Sequence, residues 1–114
     1  MESNNPEEKK SGDSKISLGG SIELSGFSEL EPAQMIVLKK IIGNYARRFS
    51  EITKKFELLA VTLKYVHERE KSEKYELHAR LMDNGTPIVA EEVDRNLYVA
   101  IDNVLKKVEK EIVK

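Results

Sequence analysis

Apolar residues near the C-terminus of the chain recur with helical spacing. Within residues 94–114 they are separated by steps of four, three, four and four: Leu97, Ile101, Val104, Val108 and Ile112. This spacing places them along one side of an amphipathic helix. Asp94 is predicted as its N-cap, because a carboxylate there can accept hydrogen bonds from the free amides of the first turn. The lysines of this segment fall on the opposite side of the predicted helix.

A second amphipathic helix is predicted from the Glu31-Pro32 pair to about Glu51. Proline suits the first helical position, where its missing N–H does no harm. Six apolar or aromatic positions then recur at steps of three and four: Met35, Leu38, Ile42, Tyr45, Phe49 and Ile52. Gly43 within the helix costs about 1 kcal/mol relative to alanine, which the six regular positions outweigh.

Four other stretches are predicted as strands, the first three because they alternate apolar and polar residues as half-buried strands do, and the last because it returns from a turn. They cover residues 21–25, 56–66, 75–81 and 86–93. Asn84-Gly85 between the last two is a strong hairpin signal, because both residues tolerate positive φ. Pro87 must lie at the start of the last strand or on an edge of the sheet. The predicted order is β-α-β-β-β-α, and the simplest α+β fold has a four-stranded sheet with both helices packed on one face.

Residues 1–20 contain few aliphatic side chains and are predicted to form a disordered tail, which leaves residues 21–114 as a single α+β domain. The start of the chain has no hydrophobic segment of a secretory signal, and no apolar run is long enough to span a membrane. The chain also lacks cysteine. These features are consistent with a cytoplasmic protein.

The sequence offers little support for catalysis. There is no Gly-x-Ser-x-Gly motif and no glycine-rich phosphate loop before either helix. A zinc site would need both histidines, His67 and His78, together with carboxylates. Pairing them across neighbouring strands is conceivable, but the spacing favours two solvated surface residues. We therefore expect a protein that is not an enzyme and has no cofactor or metal.

The basic residues are the remaining candidates for a binding site. The formal net charge of the chain is −1, so a nucleic acid would have to be bound by a local patch. The candidates are three residues of the first helix, two of the exposed sheet face and three of the second helix: Lys40, Arg47, Arg48, Lys64, Arg80, Lys106, Lys107 and Lys110. Such patches suit phosphate backbones and A-form RNA. Composition alone favours the other interpretation, in which they are solvated surfaces crossed by local ion pairs.

Three segments resemble the ribosome hibernation promoting factor family, also known as ribosome-associated inhibitor A or the sigma-54 modulation protein family. Residues 22–26, followed by Leu-Glu-Pro-Ala at 30–33, resemble the family's first strand, glycine turn and helix start, with Glu31 in place of the usual threonine. Arg-Arg-Phe at 47–49 resembles the end of its first helix. Leu-Tyr-Val-Ala-Ile-Asp at 97–102 and the basic tail that follows resemble its second helix. The resemblance covers about residues 21–114.

The resemblance implies a fold like that of double-stranded-RNA-binding domains. It also implies binding to the small ribosomal subunit, in the channel where tRNA and mRNA would lie, which blocks translation and preserves idle ribosomes under stress. By position, Arg47, Arg48, Lys106, Lys107 and Lys110 would contact 16S ribosomal RNA, and the protein would be a monomer off the ribosome. A protein–protein adaptor that uses the open face or the edge of the sheet remains the alternative.

Overall fold

The computed structural model describes residues 16–17, 21–67 and 73–114. The elements in chain order are β1 (Ile16–Ser17), β2 (Ile22–Ser25), α1 (Pro32–Ile52), β3 (Phe56–His67), β4 (Glu73–Asp83), β5 (Thr86–Asp94) and α2 (Leu97–Ile112). The predicted order and α+β class are confirmed. The predicted disorder of residues 1–20 lies outside the described residues, apart from the two that form β1.

The strands form one mixed sheet in the order β1-β2-β3-β4-β5. β2 pairs with β3 in parallel, because α1 carries the chain across from one to the other, and every other pairing is antiparallel. The long antiparallel β3–β4 ladder forms the centre of the sheet. The two-residue strand β1 extends the predicted four-stranded sheet beyond β2.

Both helices lie on one face of the sheet. Alternate residues of β3 and β4 point to this face and are buried: Leu59, Val61, Leu63, Leu77, Ala79 and Leu81. The helices bury Leu38, Ile42, Tyr45, Ala46 and Phe49 of α1 and Leu97, Ala100, Ile101, Val104, Leu105 and Val108 of α2 against them. The other face, called the open sheet face below, carries the intervening residues. None of the described helices is long and apolar enough to cross a membrane.

The β4–β5 connection is the predicted Asn-Gly hairpin. Asn84 has φ 51° and Gly85 has φ 83°, the left-handed values that a tight two-residue turn requires. The Gly85 amide donates to Glu57 Oε1 at 2.8 Å, which ties the turn to the start of β3. Pro87 is the second residue of β5, which is also an edge strand, so it lies where the sequence allowed it.

The predicted N-cap of α2 is wrong by two residues. Asn96, not Asp94, caps the helix, because its Oδ1 accepts hydrogen bonds from the amides of Tyr98 and Val99 at 2.9 and 3.1 Å. Asp94 Oδ1 instead accepts from the Asn96 amide at 2.8 Å, forming a turn that leads into the cap. Both side chains are suitable caps, and β5 extends through Asp94, so the helix can begin only after it.

The ends of the predicted apolar stripes lie outside the core. Met35 and Ile112 are half-buried, and Ile52 is 40% exposed. At the start of α1, the Glu31 amide donates to Gln34 Oε1 at 3.1 Å and Pro32 occupies the first turn. The predicted start of this helix is thereby confirmed.

Candidate nucleic-acid interface

The eight basic residues predicted as RNA contacts lie on two opposite faces of the molecule, and all eight are exposed. Six of them lie on the two helices: Lys40, Arg47, Arg48, Lys106, Lys107 and Lys110. We call these the helix-layer cations. Lys64 and Arg80 lie on the open sheet face, since their chain neighbours Leu63, Ala79 and Leu81 point into the core. The sheet separates the two groups, so they do not form a single patch.

Two polar contacts join α1 to α2. Tyr45 donates a hydrogen bond to Asp102 Oδ1 at 2.7 Å, and Arg48 Nη2 forms an ion pair with Glu109 Oε2 at 2.5 Å. The Arg48 guanidinium also lies 5.3 Å from the centre of the Tyr45 ring, within the range of a cation–π contact. These contacts lie between the two helices and help to fix the position of one relative to the other.

The protonation states suit this arrangement. Burial and the hydrogen bond to Asp102 raise the pKa of Tyr45, so its hydroxyl stays protonated and donates. Hydrogen bonds from Tyr45 and Lys106 lower the pKa of Asp102, which stays a charged acceptor. The hydrogen bond to Glu109 raises the pKa of Arg48 further above its ordinary value.

Two of the α2 lysines also have acidic partners. Lys106 Nζ lies 3.1 Å from Asp102 Oδ2, an i,i+4 pair within the helix. Lys107 Nζ lies 2.6 Å from Glu92 Oε1 and donates to the Glu91 carbonyl at 2.9 Å, which ties α2 to the edge strand β5. The ammonium group of Lys107 therefore helps to attach α2 to the sheet.

The other three helix-layer cations are not paired in this way. Lys40, Arg47 and Lys110 form no ion pair within the described part of the chain. Lys40 and Arg47 are seven residues apart, or two helical turns, and so lie on the same side of α1. Arg47 and Lys110 are chain neighbours of the Arg48–Glu109 pair, which brings their backbones to the same part of the helix layer. These three side chains are the most available to an external anion.

On the open sheet face, one of the two predicted RNA contacts has an acidic neighbour and the other has apolar neighbours. Lys64 is opposite Glu76 in the β3–β4 register, and Arg80 is opposite Val89 in the β4–β5 register. The Arg80 guanidinium lies 3.7 Å from the sulfur of Met82. The predicted placement of both cations on this face is confirmed by the strand alternation.

The aromatic rings lie on the helix side of the sheet, as the alternation predicts. Tyr65 and Tyr75 are opposite one another in the ladder, with ring centres 5.6 Å apart, and both pack against the core. Burial raises the pKa of Tyr65. Both rings are half-buried against the core and do not form an open platform for unpaired bases.

Sequence reasoning missed the acidic partners of the helix-layer cations. The interpretation as solvated surfaces included only local ion pairs, whereas Glu109 contacts Arg48, 61 residues earlier in the chain. The Asp102–Lys106 spacing of four residues was a visible signal for the pair they form. No local pattern could have indicated the contacts between the helices or those with Glu92.

The comparisons with known proteins agree with this architecture. The model of the family described as sigma 54 modulation protein / S30EA ribosomal protein matches residues 36–114. The crystal structure of the N-terminal domain of Protein Y from Thermus thermophilus aligns with 67% of this chain and 79% of that chain, at a TM-score of 0.50 and 18% sequence identity. At that identity the likeness concerns the fold. A search of curated proteins gave no match.

Proposed function

Because the chain belongs to the sigma 54 modulation protein / S30EA ribosomal protein family of ribosome-associated hibernation factors, we propose that it binds the small ribosomal subunit through its helix layer. Binding there inhibits translation by occupying the space of tRNA and mRNA, and it preserves idle ribosomes in the cytoplasm. The protein acts by binding as a monomer and without catalysis. The 16S ribosomal RNA supplies the phosphates that it contacts.

The observation that carries this proposal is the set of three exposed cations without an ion pair in the described ranges, Lys40, Arg47 and Lys110. Such cations bind a phosphate backbone favourably, because their binding releases counterions from the RNA. The net charge of −1 means that the attraction is local and orients the protein, so that the helix layer faces the RNA.

The paired cations give the interaction a second property. To contact an RNA phosphate, Arg48 must share or give up its ion pair with Glu109. Lys106 must do the same with Asp102. Since exposed ion pairs contribute at most about 1 kcal/mol, such an exchange is easily made and easily reversed. Reversibility suits a factor that must leave when translation resumes.

The helix layer recognises RNA by its backbone and not by its bases. Helical RNA presents phosphates and 2′-hydroxyls, while its deep major groove keeps the base edges from side chains. The rings of Tyr65 and Tyr75 are half-buried against the core, so they do not form an open platform for bases. Specificity then comes from the shape of the subunit, with Lys64 and Arg80 as additional contacts where RNA also reaches the open sheet face.

An adaptor that binds another protein is the second candidate. Val89 and Val93 of the edge strand are 67% and 47% exposed on the open sheet face, which favours an apolar contact there. This candidate predicts binding that is insensitive to salt, because apolar contacts do not depend on counterion release.

Sedimentation with purified ribosomal subunits separates the two candidates. We expect the protein to co-sediment with small subunits at low salt, and the bound fraction to fall as salt rises, with a slope of about −2 to −3 for three phosphate contacts. Large subunits, purified in the same way, are the control. Absence of binding to small subunits at low salt would exclude the proposed function, and salt-insensitive binding would favour the adaptor.

A further inference from the structure

Three metal-ligating side chains converge on the open sheet face. The carboxylates of Glu76 and Glu91 and the imidazole of His78 place one potential ligand atom each within 4.8 Å of one another. We propose that these three residues form a binding site for one divalent transition-metal ion, with Zn²⁺ as the metal of choice. The site lies on the face opposite the helix layer and involves none of the helix-layer cations.

The fold of the two strands explains why the ligands meet. Glu76 and His78 are two residues apart in β4 and therefore point to the same face. His78 and Glu91 are directly opposite one another in the antiparallel β4–β5 register. Side chains at directly opposed positions have Cβ atoms about 5 Å apart. The sheet thus holds all three backbones in place, and only side-chain rotations are needed to close on an ion.

The ligand atoms are already close to a coordinating arrangement. The Nε2 atom of His78 contacts Glu76 Oε2 directly. Zinc binds histidine nitrogen and carboxylate oxygen at about 2.0–2.2 Å, which requires neighbouring ligands about 3–3.5 Å apart. The Glu91 side chain is exposed and free to rotate toward the pair. An ion would replace the His78–Glu76 contact with two metal–ligand bonds.

The chemistry of the donors selects the type of metal. An imidazole nitrogen suits Zn²⁺, Cu²⁺ and Ni²⁺, whereas Mg²⁺ and Ca²⁺ prefer sites built from oxygen alone. Two carboxylates balance the charge of a divalent ion. Lys64 is opposite Glu76, and Arg80 follows His78 on the same face. The positive charges of Lys64 and Arg80 weaken the electrostatic attraction of the site for a metal ion. The bond to the imidazole nitrogen therefore decides which type of metal ion binds.

The surroundings leave room for the ion and its waters. His78 and Glu91 border a shallow depression of about 510 Å³ on the sheet surface, which small side chains such as Ala60 and Thr62 also line. Three protein ligands leave at least one coordination position open to water. A bound ion would also link the edge strand β5 to β4 and oppose its fraying.

Zinc titration of the full chain without an affinity tag tests this site. By isothermal titration calorimetry we expect one Zn²⁺ per chain. His78→Ala should weaken binding by more than about a hundredfold, since losing even an indirect supporting residue costs 10–100-fold. Glu76→Gln and Glu91→Gln should each weaken it, and backbone amide signals of β4 and β5 should shift when zinc is added.

His67→Ala is the matched control, because His67 is the other of the two histidines in the chain and lies at the end of β3. This variant should bind zinc as the unmodified chain does. Unchanged binding by His78→Ala, loss of binding in His67→Ala, or no binding to the unmodified chain would each overturn the proposal.

Discussion

Replacing Lys40, Arg47 and Lys110 together with glutamine should weaken binding to the small ribosomal subunit by about two orders of magnitude. Each exposed charge contact changes an equilibrium constant by up to about fivefold, and three such contacts multiply. Because these side chains form no ion pair in the structurally described ranges, their loss should leave the fold intact. The measurement is equilibrium binding of fluorescently labelled protein to purified subunits over a range of salt concentrations.

The matched control changes the same amount of charge on the other face. The open sheet face carries Lys64 in β3 and Lys74 and Arg80 in β4. Replacing these three residues with glutamine should change the affinity for the small subunit only slightly. In the helix variant the salt dependence of binding should also lose about two to three units of slope, whereas the sheet variant should keep most of its slope. Equal losses in the two variants would show that overall charge, and not the helix layer, determines binding.

Gly26→Ala should lower the free energy of unfolding by at least about 3 kcal/mol, through backbone strain and steric overlap. Gly26 follows β2 with φ 83°, and a Cβ atom there would lie 2.1 Å from the carbonyl oxygen of Leu63 in β3. The contact is with backbone, so no side-chain rotation can relieve it, and the parallel β2–β3 pairing must shift. Urea denaturation followed by circular dichroism measures the loss.

Gly43→Ala is the control for this prediction. Gly43 lies within α1, and a Cβ atom there would meet nothing within 4 Å. Alanine at this position should raise the free energy of unfolding by about 1 kcal/mol, because it has the higher helix propensity. The glycine-to-alanine substitution is therefore expected to lower the free energy of unfolding at position 26 and to raise it at position 43. Similar stability of the two alanine variants would contradict the close approach of Gly26 to β3.

The helices and the hairpin could be predicted because their signals are local. The apolar steps from Leu97 to Val108 cover three turns of α2, and Asn84-Gly85 has the backbone freedom that its turn needs. The N-cap could not be placed by pattern, since Asp94 and Asn96 are both suitable and the extent of β5 decides between them. The parallel pairing of β2 with β3 depends on contacts between distant segments and leaves no local pattern.

The candidate site was only partly visible in the sequence. Alternation correctly assigned Lys64 and Arg80 to the exposed side of the sheet. The helix-layer cations were also identified, but their ion pairs were not, because Arg48 and Glu109 meet only when the two helices pack together. The convergence of His78 and Glu91 follows from the predicted two-residue turn, since a hairpin that pairs Asp83 with Thr86 also pairs His78 with Glu91. This convergence was missed because only the two histidines were considered as a pair.

Site-specific cross-linking tests most directly whether the helix layer contacts ribosomal RNA. The chain has no cysteine, so a single cysteine can carry a photoactivatable group at a chosen position. Asn44 is exposed on α1 between Lys40 and Arg47, and Val89 is exposed on the open sheet face, so Asn44→Cys and Val89→Cys both leave every cation in place. On small subunits we predict cross-links to 16S ribosomal RNA from position 44 and few or none from position 89. Cross-links from position 89 with none from position 44 would contradict the account.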